Sequence, residues 1–365
     1  MKVLYDHQKF STQRVGGITR YFAELFEHFS SGVTPVVSLK FNRNIYISGN
    51  ARLFPRKVYD YDFRHVGKSI VVAAADRVNR MYSEHDLRHQ DYDIFHPTYY
   101  GCYFMKEDIG RPMVVTVHDM IQEIYPETFG SKIIEDKRRQ IFAADHIVAV
   151  SQNTKDDILR FYPAIAPDKI SVIWHGMALN GTSPSSDSWP DEYLLFVGKR
   201  DGYKNFLPFV RAVAPLMEHR NGLSIICAGD DFKPYELREL SALPFADRVI
   251  RVGATDAQLM SLYMHAKALV FPSLYEGFGL PVLEAFGAGC PVCLSDASCF
   301  PEIAEDAAVY FDPADPESIC DAVSRCAYDE GLRKSLRDRG RMRLKAFDWS
   351  RSAAALERIY TGLLS

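Results

Sequence analysis

The sequence predicts an α/β fold of two Rossmann-like domains facing across a cleft, and three observations carry that prediction. Short apolar runs alternate with helix-period segments along most of the chain, the alternation comes in two series, and a polar, turn-rich stretch separates them. In the first series, strands are expected over residues 3–5, 36–39, 94–96, 114–117, 147–150 and 171–173, with helical periodicity over 18–29 and 133–144. In the second, strands are expected over 194–197, 224–228, 249–252, 268–271, 292–294 and 309–311, with helices over 206–219, 256–265 and 282–286. The break at 180–190 reads Asn-Gly-Thr-Ser-Pro-Ser-Ser-Asp-Ser-Trp-Pro, dense in turn formers and without periodicity. The expected domains are therefore residues 1–183 and 191–349. Residues 350–365 carry Ala353, Leu356, Ile359, Tyr360 and Leu363 at helical spacing and are expected to cross back to the first domain. Ligands of open parallel sheets bind outside the carboxyl ends of the strands, which is why two such sheets imply a cleft.

Bulk properties narrow the function. A chain of 365 residues exceeds the ~250–300 at which single cores stop growing. Its 47% hydrophobic and 25% charged content is that of a globular protein, and a net charge of −4 offers no general field for nucleic acid. No apolar run approaches the ~20 residues that span a bilayer. Asp6 and His7 come too early for a signal-peptide core. Seven unevenly spread cysteines point to free thiols in a reducing compartment, so a cytoplasmic location is expected.

The most informative stretch runs from Phe271 to Gly289. A strand ends at Phe271, a loop carries Glu276, and Gly277 and Gly279 let backbone approach a ligand closely. Pro281 is expected at the first helical position, leaving unpaired amides just upstream that attract a phosphate or diphosphate. Glu284, one turn in, has two oxygens with which to accept from both hydroxyls of a ribose. Cations are close by in Gly198-Lys199-Arg200-Asp201-Gly202-Tyr203-Lys204-Asn205, at the carboxyl end of another expected strand. Arg200 forks onto phosphate oxygens and Lys204 acts as a point charge, so a departing nucleoside diphosphate is stabilised without a metal. The first domain adds Gly16-Gly17 at a helix start, a weak phosphate signal alone, and His118-Asp119 at a strand end.

Each feature has a plainer reading. Glu276 with Glu284, or Arg200 with Lys204, would be ordinary surface charges in isolation; together with Gly277, Gly279 and Pro281 they read as a site. His118 reads equally as a satisfied core histidine, and Asp119 as structural. Cys290-Pro-Val-Cys293 lacks a second ligand pair and reads as buried thiols rather than a zinc or redox site. Asp60-Tyr-Asp62 and Asp91-Tyr-Asp93 read as turn or strand-start residues, and no metal is expected. Residues 64–88 mix Arg64, Lys68, Arg77, Arg80 and Arg88 with Ile70, Val71, Ala74, Val78 and Met81. A surface helix packed on its own domain is expected, with peripheral contact to an anionic membrane as the sharper alternative.

Taken in order, these residues are recognisable. Gly16-Gly17, His118, Val150-Ser151, His175-Gly176, Gly198 with Arg200 and Lys204-Asn205, Gly229, and the pair Glu276 and Glu284 make the chain resemble the family 4 retaining glycosyltransferases of the GT-B fold. Bacterial mannosyltransferases of polysaccharide and O-antigen assembly are the members it resembles most. The resemblance covers most of the chain. It implies a donor-binding second domain and an acceptor-side first domain. Arg200 and Lys204 would hold the donor diphosphate and Glu284 the ribose. Glu276 would hold the transferred sugar, helped by His118 and by backbone around Phe278, Gly279 and Leu280. Gly17, next to Gly16, would approach the diphosphate, and backbone near Val252 the base. His175-Gly176 departs from the Asn-Gly of many relatives.

No cofactor is expected beyond the sugar-nucleotide donor, with GDP-mannose leading by resemblance alone and UDP- or dTDP-sugars open. The partner is a glycan or lipid-diphosphate-linked acceptor. No nucleophile with an adjacent base is apparent, so a front-face displacement assisted by the leaving diphosphate is expected. Two other classes compete. A sugar-nucleotide 2-epimerase of the same fold would convert donor without acceptor, and a non-catalytic glycan- or enzyme-binding partner need not keep Arg200, Lys204, Glu276 and Glu284.

Overall fold

A computed structural model describes residues 1–54, 56–61, 68–107, 109–177 and 189–365, the side chains of Lys68 and Ser69 excepted. Most of the expected polar break, part of the 64–88 segment and Asp62 lie outside the described residues. The chain divides into two compact units, Met1–Gly176 with Asp348–Ser365, and Met177–Phe347.

The first unit contains β1 (Lys2–Tyr5), β2 (Thr34–Val37), β3 (Phe41–Asn42), β4 (Tyr59–Asp60), β5 (Ile94–His96), β6 (Val114–Val117), β7 (His146–Ala149) and β8 (Ile170–Val172). Parallel pairing gives β2-β1-β5 and β6-β7-β8, and the bridge from Phe95 to Met113 carries the first set on to the second. Chain order reverses between β1 and β5, with β2 on one side and β5 on the other. Lys2 anchors the start of β1: its amide donates to Asp93 at 2.7 Å and its ammonium to Asp91 at 2.6 Å. That is the structural role expected of those aspartates.

Strand β2 begins two residues earlier than the apolar run 36–39 suggests, and it contains Pro35. An edge strand has one side without ladder bonds, so a proline's missing amide hydrogen is tolerated there. The core gathers Val3, Tyr5, Phe22, Phe26 and Ile94 with Trp349, Ala353, Leu356 and Tyr360 of the last helix, Trp349–Leu364. A polar chain runs through it: Tyr5 to Tyr360 (2.8 Å), Tyr360 to His96 Nδ1 (2.6 Å), and His96 Nε2 to Thr116 (2.9 Å). Each hydroxyl and ring nitrogen along that chain of four residues has a partner, so the last helix is fixed by direction as well as by apolar area.

The helix Lys68–His89 has an unusual polarity. It buries Ala75, Asn79, Ser83 and Leu87, whereas Ile70 is 74% and Met81 61% exposed. Asn79 explains the choice of face. Its carbonyl accepts from the Lys40 and Phe41 amides, and its own amide donates to Ser11 and the Phe41 carbonyl. The helix does pack on its own unit, through a seam in which polar Asn79 and Ser83 lie between Ala75 and Leu87, while Ile70 and Met81 stay outside.

The second unit contains β9 (Glu192–Val197), β10 (Leu223–Ala228), β11 (Val249–Val252), β12 (Ala268–Phe271), β13 (Val292–Ser295) and β14 (Val309–Phe311), all parallel, in the order β11-β10-β9-β12-β13-β14. This is the doubly wound order, and it reverses between β9 and β12, where ligands of such sheets bind. The expected helix over 206–219 is instead two, Phe206–Ala212 and Ala214–His219, because Pro215 has no amide hydrogen to continue the ladder. Cys290 and Cys293 are buried thiols, and burial raises the Cys290 pKa to about 12. Among the described residues no helix is long and apolar enough to cross a membrane, and no cluster of His, Cys, Asp or Glu is arranged to hold a metal ion.

Candidate active site

The two loops at the reversal of the second sheet are the ones the sequence singles out. Residues 198–205 follow β9 and residues 272–279 follow β12, and the Leu274 amide donates to the Tyr203 carbonyl at 2.8 Å. That bond brings Lys204 onto Glu276, with Nζ to Oε1 at 2.5 Å and side chains 16% and 13% exposed. Ser273 also donates to Oε1 at 2.7 Å, and the Glu276 amide donates to Ser298 at 3.0 Å. Glu276 is therefore oriented from three sides. An ammonium has three donors, so one spent on Glu276 leaves others for a further anion.

Helix Leu280–Ala288 starts beside this pair. Gly279 is its N-cap, at φ +89°, and a Cβ there would stand 3.1 Å from the Phe300 ring, so only glycine suits the position. The helix opens at Leu280, which moves Pro281 from the expected first place to the second. No side chain caps the start, which leaves its amides for a ligand oxygen. Phe278 is buried with its ring edge on Phe347 at 5.9 Å, anchoring the loop. Glu284 is 6% exposed and accepts from the Tyr263 hydroxyl at 2.8 Å.

Arg200 departs from the expectation of two open cations. It is buried, with Nε 2.9 Å from Glu236, and Nη2 donates to the Asp230 and Asp231 carbonyls at 2.8 Å each. Its guanidinium also lies over Phe232 at 4.7 Å. The charge is thus compensated, and Nη1 alone has no partner among the described residues. No described contact joins Arg200 to residues 276–284. The physical reason is Glu236, third residue of helix Pro234–Ser241, which also accepts from the Lys233 amide at 2.6 Å. Lys199, given no role by the sequence reading, is the exposed cation of that loop. Gly229 brings the ends of β9 and β10 close: a Cβ there would meet the Gly198 carbonyl oxygen at 2.5 Å. Its amide donates to the Val252 carbonyl at 3.0 Å, so that oxygen is already engaged at the edge expected to meet the base.

In the first unit, Gly16 caps helix Gly17–His28 in extended backbone, and a Cβ on Gly16 would strike the Gln13 side chain. Gly17 is exposed as the first helical residue. His118 follows β6 with its ring edge-on to Tyr21 at 5.1 Å and parallel to His175 at 6.5 Å. Burial first, then the nearby His175, Lys9, His96 and Lys137, holds its pKa well below 6.5, so the imidazole is neutral. Its Nε2 has no partner among the described residues. Buried Lys137 supports the loop, donating to the Asp119 carbonyl at 2.8 Å, Gln122 at 2.7 Å and Glu123 at 2.6 Å. The Asp119 carboxylate accepts from the Ile121 amide at 3.2 Å, a local structural role.

Sequence reasoning missed Glu236, Tyr263, Ser273 and Ser298. A Pro-Tyr-Glu helix start at 234 was a readable cue for Glu236. Ser273 stands on the same loop as Glu276 and was readable there, whereas Tyr263 and Ser298 are brought in by tertiary packing.

Comparison with known proteins agrees with this architecture. A sequence profile described as Glycosyltransferase Family 4 matches residues 15–180, and one described as Glycosyl transferases group 1 matches residues 191–329. The O-antigen chain mannosyltransferase RfbU of Salmonella typhimurium is 30% identical over 58% of this chain, and the match spans 60% of that protein's length. O-antigen chain mannosyltransferase B of Escherichia coli is 28% identical over 69% of this chain and 70% of that protein. The structure of Anabaena HepE in complex with UDP-glucose aligns with 99% of this chain and 100% of that one, at TM-score 0.74 and 15% identity. The fold is thus that of the GT-B glycosyltransferases. Within that class, the chain belongs to glycosyltransferase family 4.

Proposed function

We propose that this protein is a retaining hexosyltransferase that moves a sugar, with mannose the leading choice, from a nucleoside-diphosphate donor to a glycan or lipid-diphosphate-linked acceptor in polysaccharide synthesis. The observation that carries the reading is Lys204 held on Glu276 beside the open start of helix Leu280–Ala288, at the reversal point of a nucleotide-binding sheet. In this reading, the residues 191–349 bind the donor and residues 1–183, with the last helix, serve the acceptor. The helix start and Lys204 receive the diphosphate, Glu284 the ribose and Glu276 the transferred sugar. Lys204 stabilises the charge that grows on the leaving diphosphate, which helps take the acceptor proton as the new bond forms on the same face. Arg200 acts through Nη1 and by fixing its loop. Neutral His118 contributes a hydrogen bond to a sugar hydroxyl, Gly17 backbone approaches the diphosphate, and backbone near Val252 meets the base. The preference for GDP-mannose rests on relatives named as mannosyltransferases.

A donor panel of GDP-, UDP- and dTDP-sugars, incubated with and without glycan acceptors, tests the reading. One donor should be consumed with net retention, and Glu276→Ala should abolish most turnover. Unchanged turnover in that variant would remove the assignment, and conversion of donor into an epimer without acceptor would favour the epimerase. We also assign the enzyme to the cytoplasm, touching an anionic membrane through Ile70, Arg77 and Met81 of helix Lys68–His89, all exposed. Vesicles containing anionic lipid should carry the protein up in a flotation gradient, and Ile70→Asp should weaken this. Equal behaviour with neutral vesicles would count against it.

A further inference from the structure

Among the described residues, four other than glycine have positive φ: Gln90, Asn205, Ser298 and Glu305. Two of them adjoin the Lys204–Glu276 pair. Asn205, at φ +56°, follows Lys204 directly, and Ser298, at φ +49°, accepts from the Glu276 amide at 3.0 Å. The left-handed region crowds the Cβ of an L residue against its own backbone, and asparagine is one of the few residues at home there. Asn205 is therefore ordinary, and its side-chain amide donates to the Pro313 carbonyl at 2.9 Å. Serine has no such preference. A strained residue persists where its surroundings over-determine it, and such residues gather at functional sites.

The surroundings of Ser298 are rigid. Strands β12 and β13 are neighbours, with Phe271 opposite Leu294, so the loops that follow them leave the sheet side by side. The buried Ser295 hydroxyl donates to the Ser273 carbonyl, and the Ser273 hydroxyl donates to Glu276 Oε1 at 2.7 Å. Buried Phe300 has its ring 5.1 Å from that of Phe271, and it is the ring that a Cβ on Gly279 would meet at 3.1 Å. The chain therefore has four residues, 296–299, in which to leave β13 and enter the helix Phe300–Ala304. Ser298 takes the left-handed step in that turn. Glycine would take it without strain, but glycine lacks the hydroxyl oxygen that receives the Glu276 amide.

We infer that Ser298 is a positioning residue for the transfer: its hydroxyl holds the Glu276 backbone so that the carboxylate, already on Lys204 and Ser273, meets the transferred sugar in one orientation. The inference rests on the proposed transferase reading and adds to it a residue that acts through Glu276 alone. Loss of the hydroxyl leaves the Glu276 amide without this partner and lets the carboxylate drift, and a misplacement of about 1 Å can cost ~10²-fold in rate. The backbone strain has the opposite sign, because relieving it favours the fold. Rate and stability should therefore part at this position.

The test compares the full chain with Ser298→Ala, Ser298→Gly and Ser298→Asn by thermal melting, steady-state transfer and calorimetry with the nucleoside diphosphate. Ser298→Ala keeps the strain and loses the acceptor oxygen, so it should melt lower and show a kcat reduced by roughly 10–100-fold. Ser298→Gly should lose as much rate yet melt within about 2 °C of the unaltered protein, since relief of strain offsets the lost bond. Ser298→Asn tolerates the left-handed backbone, carries an acceptor oxygen and should recover part of the rate. Binding of the nucleoside diphosphate should change little in all three, because it has no transferred sugar for Glu276 to hold. Full turnover in Ser298→Ala and Ser298→Gly, or a rate that simply follows the melting temperature from variant to variant, would overturn the inference. The transferase reading is judged separately, on transfer by the unaltered protein and its loss in Glu276→Ala. Should no transfer be found, hydrogen exchange across residues 272–279 decides. Exchange at the Glu276 amide should quicken in Ser298→Ala and Ser298→Gly and slow again in Ser298→Asn, and equal exchange in all four proteins removes the inference.

Discussion

Lys204→Ala should lower kcat for sugar transfer by roughly 10²–10³-fold, the usual cost of removing one preorganised group that meets charge developing in the transition state. The expectation follows from position. Lys204 sits on the loop after β9, is bonded to Glu276 on the loop after β12, and lies beside the uncapped helix start at Leu280. Its removal also leaves Glu276 without its counter-charge where a diphosphate is to bind, so repulsion adds to the loss. Lys204→Arg should recover part of the rate, because charge is kept while the point-like ammonium is replaced by a larger fork. Steady-state kinetics with the donor identified by the panel measures this, and a loss of only a few-fold would place the chemistry elsewhere.

Glu236→Ala should destabilise the second unit by roughly 3–5 kcal/mol, since breaking a buried pair strands an uncompensated charge. The pair is well shielded, at 3% exposure for the Arg200 side chain and 1% for Glu236. Glu236→Gln should cost less, because an amide oxygen still accepts from the guanidinium and from the Lys233 amide. Urea unfolding followed by tryptophan fluorescence gives the comparison. Equal stability of Glu236→Ala and the unaltered protein would mean that Arg200 is free to turn outward, restoring it as an open cation.

The fold was legible where burial on both faces makes a strand a plain apolar run. Residues 268–271, buried throughout in the middle of the second sheet, are bounded in the structure as the pattern expects. It was less legible where one residue decides locally. Pro215 splits a helix whose apolar period runs through it, and Pro35 sits in a strand that tolerates it only for being at an edge. Helix Lys68–His89 inverts the usual rule, because one asparagine with four hydrogen bonds outweighs the apolar stripe opposite.

At the candidate site, Lys204, Glu276, Gly279 and Glu284 could be picked out because backbone demands and charge types coincide within short stretches. The partner of Arg200 could not be weighed from the motif. Glu236 is 36 residues away in sequence and reaches the guanidinium only once helix Pro234–Ser241 has packed. Tyr263 behind Glu284 is hidden for the same reason: nothing local marks it, and the helix Asp256–His265 brings it in.

A crystal structure with a bound nucleoside diphosphate tests the central claim most directly. Density for the diphosphate between Lys204 and the backbone of Gly279 and Leu280, with the ribose hydroxyls on Glu284, is the predicted result. A nucleotide seated away from the ends of β9 and β12, with Lys204 still bound only to Glu276, would contradict it.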